Sequence, residues 1–146
     1  MSVPRVYLDT SILVKRYVKE KDSKTADDFF HLAQRGEAVI CTSEINLGEA
    51  AVVFDKYSRR FGIDAKDRLK TMLSELNSLE RSSSFEIYPV SSLIIRKSIK
   101  TLLEHHIYIV DAVQLETCVE AGGTVFCTAD KELGGVAAKL GLKTKL

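Results

Sequence analysis

The sequence predicts an α/β fold: a three-layer α/β/α sandwich whose central, mainly parallel sheet has four to five strands. Three observations carry this reading. The strand-like runs Arg5–Leu8, Ala38–Cys41, Phe85–Val90 and Thr124–Thr128 are short, apolar and bounded by turn residues, as buried strands are. Segments of helical period separate them, and such alternation marks a parallel sheet covered on both faces. Acids also stand just past the first run and just past the last, Asp9 and Asp130. That is the edge of a parallel sheet where ligands gather.

The elements follow in order. Within Val6-Tyr7-Leu8-Asp9-Thr10-Ser11-Ile12-Leu13-Val14 an apolar run, too short for a helix of its own, stops at one acid and two hydroxyls. A helix is expected from Ile12 to about Lys19. A turn at Lys21-Asp22-Ser23 leads into a second helix through about Arg35, with Ala26, Phe29, Phe30 and Ala33 as its apolar stripe. Gly36 ends it. After the strand Ala38–Cys41, Thr42-Ser43 offers an N-cap to a helix from about Glu44 to Arg60. Gly62 separates that helix from an amphipathic one, about Asp64 to Leu79, with Leu69, Met72, Leu73 and Leu76 on one face. The loop Ser82-Ser83-Ser84 precedes the third strand, and Ser91-Ser92 caps a helix to about His105. Asp111 opens the next helix, which closes at Gly122-Gly123. Beyond the fourth strand come a short helix from about Asp130 to Lys139, then Gly141, then a small strand at Leu142–Lys145. No repeat or low-complexity segment interrupts the pattern.

Bulk properties narrow the function. A chain of 146 residues, 45% hydrophobic and 28% charged, reads as one domain, 1–146, able to bury a core. A net charge of +1 excludes protein-wide attraction to nucleic acid, so a polyanion must be held by a local patch or a bound metal. No apolar run approaches membrane-spanning length, and Met-Ser-Val-Pro-Arg lacks a signal-peptide pattern. The three cysteines, Cys41, Cys118 and Cys127, form no Cys-x-x-Cys pair, and two lie in strand-like runs, which suits buried, reduced thiols. A cytoplasmic location is expected.

Four acids then stand out. Asp9 follows the first strand and could simply cap the next helix. Glu49 shares a helical face with Ile45 and Val52, so it must pair with an arginine, bind metal or border a cleft. Asp111, with Gln114 three positions on, resembles a capping box. Asp130, in Thr128-Ala129-Asp130, could merely charge a helix N-terminus. Together they suggest more, because a parallel sheet can bring all four to one rim. Crowded carboxylates raise one another's proton affinity, and a hard divalent cation, Mg2+ or Mn2+, relieves that conflict. A metal held this way can activate water and offset charge on a phosphodiester.

The chain resembles a PIN domain, the metal-dependent nuclease fold that includes VapC-type toxins. The resemblance spans essentially the whole chain. It rests on Tyr7-Leu8-Asp9-Thr10-Ser11-Ile12-Leu13-Val14, Ser43-Glu44-Ile45-Asn46-Leu47-Gly48-Glu49, Asp111-Ala112-Val113-Gln114-Leu115 and Thr128-Ala129-Asp130. It implies an acidic metal-binding and catalytic quartet of Asp9, Glu49, Asp111 and Asp130, with Glu44 a competitor that the spacing from Ser43 disfavours. Thr10, Ser11 or Thr128 would supply a hydroxyl beside the site. The segment His106-Ile107-Tyr108-Ile109-Val110 departs from the pattern in lacking a basic or small residue before Asp111. The resemblance further implies an Mg2+- or Mn2+-dependent endoribonuclease, the toxin of a toxin–antitoxin pair, acting on RNA as a homodimer and blocked by an antitoxin. A catalytically silent scaffold and an RNA-processing nuclease without antitoxin are the alternatives.

Lys15, Arg16 and Lys19 are candidates for RNA contacts, although a solvated helix face explains them too. His105-His106 reads as a helix end suited to cations, which leaves no histidine for a general base. Phe54, Tyr57 and Phe61 could stack bases or pack, and with the helix from Asp64 to Leu79 they form an expected partner surface. A haloacid-dehalogenase-type phosphatase would need an acid at Ser11. A receiver domain would need one after the third strand, which ends Tyr88-Pro89-Val90.

Overall fold

The computed structural model describes residues 3–145. Its sheet contains β1 (Arg5–Leu8), β2 (Val39–Ser43), β3 (Phe85–Tyr88), β4 (Val125–Cys127) and β5 (Lys143–Lys145). The order is β3-β2-β1-β4-β5, and every pairing is parallel. The helices among the described residues are α1 (Thr10–Leu13), α2 (Ser23–Gln34), α3 (Glu44–Phe61), α4 (Ala65–Arg81), α5 (Ser92–His105), α6 (Ile109–Glu120) and α7 (Lys131–Lys139). The α/β class is therefore as expected, and the sheet is parallel throughout.

Alternation along the strands builds the layers. Val6 and Leu8 of β1, Ile40 of β2, Phe85 of β3 and Cys127 of β4 face one side, against Ile12, Phe30, Phe54, Met72 and Leu76. Tyr7, Cys41 and Phe126 face the other, against Leu115, Cys118, Leu133 and Ala137. The Tyr7 and Phe126 rings stack there with centroids 5.3 Å apart. All three cysteines are buried and unpaired. Burial pushes the thiols up, to about 11 for Cys41 and about 12 for Cys118 and Cys127, so they pack as small protonated hydrophobes. Two glycines answer local demands. Gly62 ends α3 at φ +72, and a side chain on Gly123 would meet Cys118 Sγ at 2.6 Å. Among the described residues no helix is long and apolar enough to cross a membrane.

Strand order decides where a ligand can sit. The chain grows from β1 outward through β2 and β3, then returns to lay β4 on the other side of β1. The order reverses between β1 and β4, and the crevice past their carboxyl ends is the binding position of such sheets. Asp9 N donates to Cys127 O at 3.1 Å, which continues the β1–β4 ladder one residue beyond β1 and anchors Asp9 at that crevice.

Four boundaries depart from expectation. The helix after Asp9 starts at Thr10, ends at Leu13 and tightens into a 3-10 turn, Val14–Arg16, well short of Lys19. Tertiary contacts outweigh local helical preference here: Tyr17 packs edge-on against Phe30 and Phe54, and Arg16 is drawn to Glu75 and Asp27. Strand β2 runs on to Ser43, which pairs with Tyr88 and also caps α3. Strand β3 stops at Tyr88 instead of Val90. Finally, α6 begins at Ile109 with Tyr108 in the N-cap position, so Asp111 lies inside the first turn and forms no capping box.

Candidate active site

Asp9 is 4% exposed, and its carboxylate is held from three directions. Ser11 Oγ and the Ile12 amide donate to Oδ1 at 2.6 and 3.2 Å, and Thr128 Oγ1 donates to Oδ2. The capping role is thus real, and it does not exhaust the residue. The hydroxyls that hold Asp9 also stitch β1 to the loop after β4: Ser11 Oγ accepts from Ala129 N at 3.1 Å, and Thr128 Oγ1 accepts from Asp130 N at 3.0 Å. Asp130 in turn caps α7, its Oδ1 accepting from Glu132 N and Leu133 N at 2.9 and 3.2 Å. Its second oxygen accepts no hydrogen bond from the described residues.

Glu49 reaches the same rim from α3. Its Oε1 accepts from Thr10 Oγ1 at 2.8 Å, and it forms no ion pair among the described residues. Glu44 is exposed at the start of α3. Thr10, Ser11 and Thr128 therefore all donate to acids of the quartet.

Asp111 joins them electrostatically. Burial raises its carboxyl, and the charges of Asp130, Glu49 and Asp9 raise it further, to about 6. Asp9 is also raised, chiefly by burial and in part by Glu49, against the lowering effect of its hydrogen bonds from Ser11, Thr128 and Ile12. The charges of Asp130, Glu49 and Asp9 thus lie near enough to oppose the ionisation of Asp111, and among the described residues no lysine or arginine pairs with any of the four acids. Asp111 and Asp130 line a cavity of about 240 Å3 together with His106, Tyr108 and Glu132.

The three basic residues differ in their surroundings. Arg16 is committed to Glu75 and Asp27 at 2.9 and 2.8 Å, and its guanidinium lies 5.1 Å from the centre of the Phe30 ring. Lys15 lies 3.5 Å from Glu20 with its side chain mostly covered. Lys19 is exposed and makes no ion pair among the described residues. Phe54 belongs to the core, while Tyr57 and Phe61 pack edge-on against each other. His106 ends α5 at φ +56 as expected of a helix end, but it also faces the acidic cavity. Sequence reasoning missed Tyr108, 69% exposed on that cavity wall. Its cue was a large aromatic immediately before an acid-bearing helix.

The donors fit a hard divalent cation in chemistry, being carboxylates and hydroxyls; among the described residues no lysine or arginine forms an ion pair with the four acids, although Lys131 and Lys145 line a cavity beside Asp130. Among those residues no three His, Cys, Asp or Glu side chains already stand arranged to hold one ion. Sharing an ion therefore requires side-chain rotation, for which Asp111, free of side-chain hydrogen bonds among the described residues, has the most latitude.

The molecule is thus a parallel α/β sheet with a group of carboxylates near its switch point. The family model of the PIN domain matches residues 6–139, and the chain belongs to the PIN domain family, whose members are generally nucleases. Its fold is similar to PAE2754 of Pyrobaculum aerophilum (19% identity, 99% of this chain and 92% of that one, TM-score 0.65). It is also similar to VapC20 of Mycobacterium tuberculosis, a Sarcin-Ricin loop cleaving toxin (19% identity, 89% and 93%, TM-score 0.63). A third similar structure is VapBC2 of Rickettsia felis bound to a DNA fragment from its promoter (18% identity, 97% of both chains, TM-score 0.65). No curated protein matches the chain.

Proposed function

We propose that residues 1–146 form a Mg2+- or Mn2+-dependent endoribonuclease that serves as the toxin of a toxin–antitoxin pair. The observation that carries the reading is the carboxylate quartet at the β1–β4 crevice, where Asp111 is lifted to about 6 by burial and by its acidic neighbours. No basic side chain among the described residues answers them. Asp9, Glu49, Asp111 and Asp130 would hold the cation. When bound, it would neutralise charge on the phosphodiester and acidify the attacking water.

The protein's own groups do the rest. Ser11 and Thr128 orient Asp9, and Thr10 does the same for Glu49. Lys19, exposed beyond the 3-10 turn, is the candidate of the three basic residues best placed to meet RNA phosphate, since Arg16 and Lys15 are engaged within the protein. The toxin role draws support from the similar folds of VapC20 and of the VapBC2 complex, and it implies an antitoxin partner and cytoplasmic action.

The test is direct. Purified protein should cut RNA with Mg2+ or Mn2+, stop on chelation and resume when the ion returns. Asp9→Asn should lower the rate more than about 100-fold, beyond the usual cost of losing an outer partner of a metal ligand, with an unchanged circular dichroism spectrum. Cleavage by the variant at the wild-type rate would reject this site.

We also place a homodimer contact on α5, in preference to the region of Phe61 and α4. Ile95, Ile99 and Leu103 form an exposed i, i+4, i+8 stripe, 37%, 47% and 66% accessible. Arg96 and Lys100 beside it, with Glu104 further along, let an antiparallel second copy match charges. Light scattering should give a dimer mass that Ile99→Glu halves, and a monomeric wild type would remove the contact.

A further inference from the structure

We propose that Asn46 is a positioning residue of the acidic site, acting through the Thr10 hydroxyl to hold the Glu49 carboxylate in the orientation a divalent cation requires. This rests on the metal-nuclease reading above. Asn46 is fully buried on α3, three residues before Glu49. Its Oδ1 accepts from the Tyr7 hydroxyl and, at 3.0 Å, from the Ser43 amide. Its Nδ2 donates to Thr10 Oγ1 at 2.9 Å and to Gln114 Oε1 at 2.7 Å.

The orientation of this amide is determined by its partners. Ser43 N–H can only donate, so the oxygen must face it, and the NH2 group must face Thr10 and Gln114. Thr10 Oγ1, accepting from Asn46, has one proton left to give, and Glu49 Oε1 lies 2.8 Å away. The order of donation thus runs from Asn46 to Thr10 to Glu49 with no alternative sense. The same carboxamide ties together three carriers of acids: the end of β1, where Thr10 follows Asp9; α3, with Glu49; and α6, where Gln114 lies one turn from Asp111.

A purely structural role is the competing explanation, since Asn46 also completes the cap of α3. That role uses Oδ1 and needs nothing from Nδ2 or Thr10. Two variants separate the ideas. Asn46→Leu removes the amide while keeping the branched shape of the side chain, and Thr10→Val removes the relaying hydroxyl without touching the cap.

Isothermal titration with Mn2+ should show each variant binding about 10- to 100-fold more weakly than wild type, the range for lost outer partners of metal ligands. The double variant should be no more than about twofold worse than the weaker single, because both break one chain. RNA cleavage should lose kcat and keep KM. Wild-type Mn2+ affinity in folded Thr10→Val overturns the proposal even if Asn46→Leu does not fold, and fully additive losses overturn the relay. A wild-type protein that binds no Mn2+ rejects the metal reading itself.

Discussion

Around Arg16, the carboxylates Glu75 and Asp27 meet one guanidinium, with Tyr17 and Gln34 adding hydrogen bonds to Glu75. At the ends of β1 and β4, Asp9, Glu49, Asp111 and Asp130 meet hydroxyls, amides and one another. Both clusters are partly buried and both join distant parts of the chain, yet Glu75 in the first and Asp111 in the second shift in opposite directions. Burial by itself would raise Glu75, but Arg16 and Tyr17 outweigh it and hold the carboxyl below its usual range. At the rim nothing outweighs burial, and Asp111 rises to about 6. The difference separates two kinds of acid: Glu75 is neutralised within the protein, whereas Asp111 meets no lysine or arginine among the described residues.

The largest effect on this contrast should come from Arg16→Leu. Removing one partner of a mostly covered ion pair leaves two acids unanswered, and a loss of about 2 to 3 kcal/mol is expected, below the cost for full burial. Mn2+ affinity per folded molecule should stay at the wild-type value. Urea unfolding at several pH values measures the loss. Because the folded Glu75 value is lowered, the contribution of the network is complete above the ordinary glutamate range and disappears as pH falls through the lowered value. The gap between wild type and variant should therefore close in acid. A gap that widens in acid would contradict the assignment.

A smaller effect of opposite sign is expected at the rim. Asp111→Asn removes a charge that the folded state resists, so the variant should be more stable than wild type at neutral pH. The rise from 3.8 to about 6 corresponds to about 3 kcal/mol, and partial exposure reduces the expected gain to about 1 kcal/mol. With the folded value raised, the relief from protonation is complete below the unfolded value and lost as pH rises through about 6. The advantage of the asparagine variant should thus be greatest above pH 6 and vanish near pH 4, as thermal melts across that range would register. Equal melting temperatures at about pH 7.5 would mean that a cation or a counter-charge already satisfies the rim. Cleavage should be lost in this variant regardless.

Much of this arrangement is legible from the chain, and particular residues show why. Asp9 declares itself because an apolar run stops abruptly at it, and a run that short and apolar suits a buried strand. Glu49 does so as an acid among apolar helix residues, although the face it was expected to share is not the core one: Val52 is 55% exposed, and Asn46, Ala50 and Phe54 are the buried residues of α3. The span of the helix after Asp9 is not legible, because periodicity extends it through Lys19 while Tyr17 and Arg16 are claimed by α2, α3 and α4. Asp111 reads as a helix opener because Gln114 completes a capping pattern, yet that glutamine answers Asn46, 68 positions away. Tyr108 is marked in the sequence only as an aromatic before an acid-bearing helix, and its exposure on the cavity wall is set by the fold.

By itself, then, the sequence determined the strand–helix alternation, the short apolar strands and the four acids near element ends or among apolar helix residues, since these depend on neighbours within a few residues. Only the tertiary structure decided the strand order that brings β4 beside β1, the capture of Arg16 by Glu75 and the relay from Asn46 through Thr10 to Glu49. Those contacts join positions tens of residues apart, and local pattern holds no record of which distant partner will arrive.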